Sequence, residues 1–303
     1  MILIVGASGR LGRMVAERLL AQGKSVRLMT RTPLALAHLQ EQGAEVVSGD
    51  LRDAASLRLA CRGVNQVLAA AHALVGAGEN NPHTVDHLGN RHLIEAARVA
   101  EVNHFLFVSV QGASADSPLE FFRIKYRIEE YLRASGLSFT ILRPGAFMDL
   151  WAQLIGRPIL ERGKTTIFGR GNNPINFVAV EDVARVVGVT LDDAGKRNRV
   201  IEVGGPENLT MNQVAEIFEQ VSGRQAKKRH IPLSLMRIMS MLMQPINPAL
   251  SRQIHAGIYM DTANLCYDST ETARSFDIQL TSWEEIARRS ATGVGPLKAT
   301  RTL

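Results

Sequence analysis

The first twenty residues, MILIVGASGRLGRMVAERLL, constrain the fold of this chain more than any other stretch. Met1 to Val5 form an unbroken apolar run, the pattern of a strand buried on both faces of a parallel sheet, and Gly6 ends it. From Leu11 the apolar positions recur at helical spacing through Val15, Leu19 and Leu20. Strand and helix are separated only by a turn in which Gly6, Gly9 and Gly12 are spaced three apart. Each glycine answers a steric demand: Gly6 for the sharp turn, Gly9 for close approach of a pyrophosphate, Gly12 for tight packing of helix on sheet. Amides at the helix start, over Ser8, Gly9, Arg10 and Leu11, then face an anion, aided by the helix dipole. The turn therefore predicts dinucleotide binding.

Composition narrows the class. A chain of 303 residues, 46% hydrophobic and 21% charged, can bury a large core. Apolar runs stop short of the about 18 residues of a membrane span, and the N-terminus enters a strand directly, so the expectation is a cytoplasmic protein without a membrane span. Cys61 and Cys266 lie far apart and without metal-ligand spacing, which argues against a disulfide or a metal site. The net charge of +6 is scattered apart from Lys227-Lys228-Arg229-His230, and aromatic content is only 5%, so nucleic acid is not the expected partner.

Further along, 25–29 reads as a second strand, ending at Thr30-Arg31. A dinucleotide fold that selects NAD commonly places an acid there, beside the adenine ribose. None is present; Arg31, with Arg10 from the glycine turn, suits a 2'-phosphate, so NADP(H) is favoured over NAD(H). A short helix at 34–41 and a strand at 45–48 lead to Gly49-Asp50-Leu51, where Asp50 and Leu51 are the adenine candidates. Asp53 reads as the cap of a helix at 54–61. The strand at 65–71 ends in Ala70 and Ala71, small enough to let a cofactor pass closely, and His72 follows as a candidate substrate contact. Then come a helix at 84–100, with Asp86, Gly89 and Asn90 at packing and cap positions, and a strand at 105–108 ending at Ser109 and Gln111. A helix opens at Phe121, and a strand at 138–142 ends in Arg143-Pro144-Gly145, with Phe147 and Met148 beyond. Proline and glycine there open the edge where a nicotinamide would lie, next to Pro144, Gly145 and Phe147.

The Gly6/Gly9/Gly12 turn, Thr30-Arg31, Gly49-Asp50, Ser109, Lys125, Ser135-Gly136-Leu137 and Leu142-Arg143-Pro144-Gly145 together resemble the NmrA-like branch of the atypical short-chain dehydrogenase/reductases. Asn176 to Ala184 and Glu202 to Pro206 match later landmarks, so the resemblance covers the whole chain. It implies a doubly wound, mostly parallel Rossmann-type α/β sheet with a smaller C-terminal substrate lobe. The expected division is 1–150 for nucleotide binding, with returning segments at about 174–204, and 151–303 mainly for substrate. Catalytic members of the wider superfamily carry Tyr-x-x-x-Lys, in which the lysine lowers the tyrosine pKa for proton transfer. Here Phe121 stands at the tyrosine position and Lys125 at the lysine. Tyr126 adjoins Lys125 but lies about 100° round the helix from it. Lys125 can still hold the nicotinamide ribose and Ser109 can polarise a substrate carbonyl; these two are the catalytic candidates.

Beyond Met148, Trp151, Leu154, Ile155 and Ile159 suggest a helix, and the substrate-pocket candidates are His72, Gln111, Phe147, Met148 and Trp151. A helix at 209–221 with Thr210 as cap is expected, and the methionine-rich stretch 233–243 reads first as core packing, with substrate cover, a partner surface or a shallow membrane contact as alternatives, the last poorly supported by Arg237 alone. One extended piece and two helices are expected over 261–289, then a mobile tail from Gly293. The functional expectation is an NADPH-dependent reductase of a small quinone-like or unsaturated carbonyl substrate. The alternative is a non-catalytic NADP(H)-sensing regulator or assembly protein with a protein partner.

Overall fold

The computed structural model describes residues 1–293; all of the expected tail but Gly293 lies outside the described residues. The chain forms two compact units: Met1–Pro144 with Val183–Val203, and Gly145–Asp182 with the chain from Gly204 onward.

The first unit is built on seven strands: β1 (Ile2–Val5), β2 (Val26–Thr30), β3 (Glu45–Ser48), β4 (Gln66–Ala69), β5 (His104–Val108), β6 (Phe139–Pro144) and β10 (Arg199–Val203). Their order is β10-β6-β5-β4-β1-β2-β3, and every neighbouring pair is parallel. Strands β1 and β5 are buried throughout: β1 is an uninterrupted apolar run, and β5 is apolar from Phe105 onward, with His104 buried at its start. Chain order reverses between β1 and β4, so the crevice beyond their carboxyl ends is the place where such sheets bind ligands. The Rossmann-type sheet is the one the sequence predicts.

Local chemistry fixes the connections. Asp53 caps the helix Ala54–Ala60, accepting from the Ala55 amide at 2.9 Å. The short helix expected at 34–41 is a 3-10 turn, Pro33–Leu36, running into an α-helix, Ala37–Glu41. The helix expected at 84–100 begins instead as π-helical turns, Pro82–Gly89, before the α-helix Asn90–Val99. Asn81 and Thr84 cap each other reciprocally at its start.

In the second unit, β7 (Ala146–Phe147), β9 (Ile175–Val178) and β11 (Asn208–Leu209) form one small sheet, and β8 (Lys164–Phe168) pairs in parallel with β12 (Lys227–Ile231). The stretch expected to return at 174–204 is thus divided: β9 pairs within the second unit, and Val183–Val203 belongs to the first. The amide of Asn176 donates to Gly205 O and Tyr267 O at 3.1 and 3.2 Å, so these landmarks brace the second unit. Thr210 and Gln213 form a capping box on the helix Met211–Ser222. The span read as one helix around Trp151 is α-helical at Met148–Trp151, π-helical at Ala152–Gly156 and α-helical again at Arg157–Arg162. Asp261, expected to open an extended piece, lies in the helix Pro248–Thr262; the helices Thr270–Phe276 and Trp283–Ala291 follow.

The core reading of 233–243 is corrected. These residues form the helix Leu233–Ile246, in which only Met236 and Ser240 are buried. Apolar periodicity identifies the helix but cannot say which apolar face is covered. No helix among the described residues is long and apolar enough to cross a membrane.

Candidate functional site

The glycine turn has the predicted geometry. Gly6 adopts φ +95°, a left-handed conformation that side chains resist, and its carbonyl accepts from the Gly9 amide at 3.0 Å. A Cβ on Gly6 would lie 2.7 Å from Ala71 N, which brings β1 and the Ala70-Ala71 end of β4 into direct contact. A Cβ on Gly12 would lie 2.3 Å from Gly6 O, whereas one on Gly9 would stand 3.2 Å from the same atom. Gly12 therefore serves packing, and Gly9, which is exposed, keeps the mouth of the turn open.

The helix Arg10–Ala21 begins there with no side-chain cap on Gly9. Its first internal bond runs from the Arg13 amide to Gly9 O at 2.9 Å, so the amide of Leu11 has no acceptor within the helix. Ser8 and Arg10 are exposed beside this end. Open space over Gly9, main-chain donors and a positive helix terminus fit a diphosphate.

At the end of β2, Thr30 is buried and its hydroxyl accepts from the Thr32 amide at 3.2 Å. Arg31 is exposed and donates to Asn80 Oδ1 at 3.3 Å. Asp50 is chelated by Arg52, with Nη2 at 2.7 Å from Oδ2 and Nε at 3.1 Å from each oxygen. That guanidinium holds the Asp50 carboxyl below the usual carboxylate range. Leu51 is buried at 5% exposure, and a Cβ on Gly89 would lie 2.9 Å from its Cβ. Of the two adenine candidates, Asp50 is thus engaged by Arg52 and Leu51 packs against the Pro82–Gly89 segment.

Lys125 is neither exposed nor a surface stem. Its ammonium lies 3.1 Å from Asp86 Oδ1, donates to Val108 O at 3.3 Å, and sits over the rings of Phe107 and Phe121 at 4.9 and 5.4 Å. The other Asp86 oxygen accepts from the Ala73 amide at 2.8 Å. A buried ion pair therefore ties the end of β4 to the end of β5. Asp86 was legible only as a packing or cap position, because its partner is far away in sequence.

Ser109 is also engaged: its hydroxyl donates to the buried Glu129 at 2.5 Å, and Glu129 accepts from Arg143 Nε at 2.9 Å. The Ser109 proton is directed into this cluster, leaving its oxygen as an acceptor. The Gln111 amide donates to Pro144 O at 3.0 Å, joining the ends of β5 and β6.

His72 is exposed beyond β4, and its ring meets Phe121 edge-on at 6.2 Å between centroids. Desolvation, then the nearby Lys125 charge, lowers its pKa against the opposing pull of Asp86, so the imidazole is neutral at pH 7. Among the candidates in the first unit, the structure gathers Gly6, Ala70, Ala71, His72, Ser109, Gln111 and Lys125 at the carboxyl ends of the central strands.

Gly145, Phe147, Met148 and Trp151 belong to the second unit. Met148 is fully buried in that unit's apolar cluster. Trp151 lines a small cavity of about 10 Å³ with Ile155, Met211, Met260 and Asp261. Among the described residues no cluster of three His, Cys, Asp or Glu side chains could hold a metal.

The sequence profile of the NmrA-like family matches residues 1–283. The photosystem II assembly factor Ycf39 of Trieres chinensis is 26% identical over 296 residues, covering 94% of this chain and 90% of that protein. The NAD(P)H azoreductase of Xenophilus azovorans is 29% identical over 240 residues, covering 78% of each. The NADPH-dependent quinone oxidoreductase of Escherichia coli, solved with NADPH, superposes with a TM-score of 0.79 at 23% identity, covering 96% of this chain and 99% of that one.

Proposed function

Because the chain belongs to the NmrA-like family, we propose that it is an NADPH-dependent reductase of a small quinone-like or unsaturated carbonyl acceptor. The observation that carries this reading is the glycine turn, whose exposed Gly9 and uncapped helix start offer a diphosphate its donors. The azoreductase relative supports the reaction class. Arg31, and Arg10 across the turn, would hold the 2'-phosphate; with no acid at the end of β2, a free ribose has no matching acceptor.

Bound nicotinamide would supply the hydride. Lys125, oriented by Asp86 and Val108 O rather than by a tyrosine, would hold the nicotinamide ribose. Phe121 has no proton to donate, and the Ser109 hydroxyl is engaged in its hydrogen bond to Glu129. A quinone tolerates this: one hydride and one proton convert it to the hydroquinone, and the proton can come from water. His72, neutral beside Phe121, would position such a water rather than carry the proton itself.

The missing tyrosine and the engaged serine also favour a second reading, in which NADP(H) occupancy controls binding of a protein partner; the assembly-factor relative supports it. NADPH absorbance followed against a panel of quinones and aldehydes separates the two. Consumption supports the reductase, tight binding without consumption supports the sensor, and no uptake of NADPH overturns both.

A further inference from the structure

The helix Leu233–Ile246 is apolar on two sides. Met236 and Ser240 face inward; Ser251 of the following helix donates to Ser240 O at 2.9 Å, and Met236 Cε would lie 3.1 Å from a Cβ on Gly257. The opposite arc carries Ile238, Met241, Leu242 and Ile246, which are 57, 74, 59 and 74% exposed. A contiguous apolar arc exposed on a helix marks an interaction surface, so the outer arc needs an occupant. With 14 residues the helix is about 21 Å long, short of the roughly 30 Å of a bilayer core. It is suited to lying along a membrane surface rather than crossing it.

Charge selects the occupant. From 220 to 260 the sequence contains no Asp or Glu, but it carries Arg224, Lys227, Lys228, Arg229, Arg237 and Arg252. Arg237 is exposed on the helix itself, and Lys227 and Arg229 are exposed on β12, which ends at Ile231 just before the helix begins. Lys228 is held by Glu219 at 2.9 Å. An exposed apolar arc flanked by cations is complementary to anionic lipid: the apolar side chains enter the acyl boundary and the cations meet headgroup phosphates. A second copy of the chain fits less well, because two-fold pairing of this face would set cation against cation.

From the arc and its one-signed flanks we infer that Leu233–Ile246 is a peripheral docking element for an anionic membrane surface. The inference is independent of the nucleotide site. Sedimentation of the full chain with vesicles tests it. The protein co-sediments with vesicles of equal parts phosphatidylcholine and phosphatidylglycerol, stays in solution with phosphatidylcholine alone, and is released by high salt. The variant Ile238→Gln/Leu242→Gln, changed only at solvent-facing positions and checked by thermal unfolding, partitions about tenfold more weakly or worse. Lys227→Gln/Arg229→Gln weakens binding to the anionic vesicles as well. Failure of the parent protein to sediment with them, or equal partition of parent and Ile238→Gln/Leu242→Gln, overturns the inference. So does a dimer abolished by that variant without vesicle binding, which assigns the arc to a second copy. Binding to soluble polyglutamate that matches vesicle binding and ignores the variant assigns the cations to an acidic protein and overturns it too.

Discussion

Lys125 Nζ and Asp86 Oδ1 face each other at 3.1 Å with both side chains sealed from solvent. Removing the cation alone leaves a buried carboxylate without its counter-charge, a loss of about 3–5 kcal/mol. Lys125→Ala is therefore expected to lower stability in urea by that amount, and Asp86→Asn added to it should recover part of the loss. An unchanged unfolding midpoint in Lys125→Ala would show that the pair contributes nothing to the fold. Any turnover lost in this variant must be read beside its stability.

Gly9→Ala and Gly12→Ala separate binding from folding. At Gly12 the new Cβ would meet backbone on two sides, at 2.3 Å from Gly6 O and 2.9 Å from Ala7 Cα, and the expected cost is about 3 kcal/mol. At Gly9 the methyl has only Gly6 O within reach, at 3.2 Å, so stability should change by no more than about 1 kcal/mol. The same methyl intrudes where a diphosphate would lie, and calorimetry should find NADPH affinity about tenfold lower or worse. Equal nucleotide affinity in Gly9→Ala and the parent would move the cofactor away from this turn.

Arg31→Asp should invert the preference for NADPH over NADH, because a carboxylate repels a 2'-phosphate and accepts from a free ribose. Relative affinities that do not change, measured by fluorescence titration with both nucleotides, remove Arg31 from the site.

His104 makes stability depend on pH. Thr140 Oγ1 donates to Lys196 O at 2.8 Å, so it accepts from His104 Nε2 at 2.9 Å, and His104 Nδ1 is buried without a partner. A second proton has nowhere to bond, and burial pushes the imidazole down from 6.5 to about 4. Below pH 6.5 the unfolded chain binds a proton that the folded chain refuses. The stabilisation is whole above pH 6.5 and lost as pH falls toward 4, by about 3 kcal/mol in all. His104→Gln, which keeps a donor for Thr140, should flatten this part of the urea midpoint–pH curve; identical curves would assign the acid sensitivity elsewhere.

Phe121→Tyr places a phenol four residues before Lys125, whose ammonium lies 5.4 Å from the Phe121 ring centroid. Aldehyde reduction should rise about tenfold or more as a positioned acid becomes available, while quinone reduction stays near the parent rate. Parallel changes with both substrates would mean that proton supply does not limit either reaction.

The parallel sheet was legible because its central strands are rich in apolar residues, β1 without interruption, and the glycine turn and the caps at Asp53 and Thr210 because their partners lie within a few residues. Engagements across long stretches of chain were not. Lys125 finds Asp86, and Ser109 finds Glu129, twenty residues further along the chain. Met148 and Leu51 looked like rim residues because they follow strand ends, yet packing from other segments covers them. The π-helical start at Pro82–Gly89 carries no periodicity of its own over so few turns.

Strand β10 reaches the central sheet only after the chain has visited the second unit, pairing beside β6 through Arg199–Val203. During synthesis the ribosome therefore releases six strands of that sheet well before the seventh, and for that interval the outer side of β6 is a bare template for any passing strand. A nascent polypeptide cut off before Val203 would keep this open edge indefinitely, so early termination anywhere in the preceding stretch should yield aggregates rather than a smaller nucleotide-binding fragment.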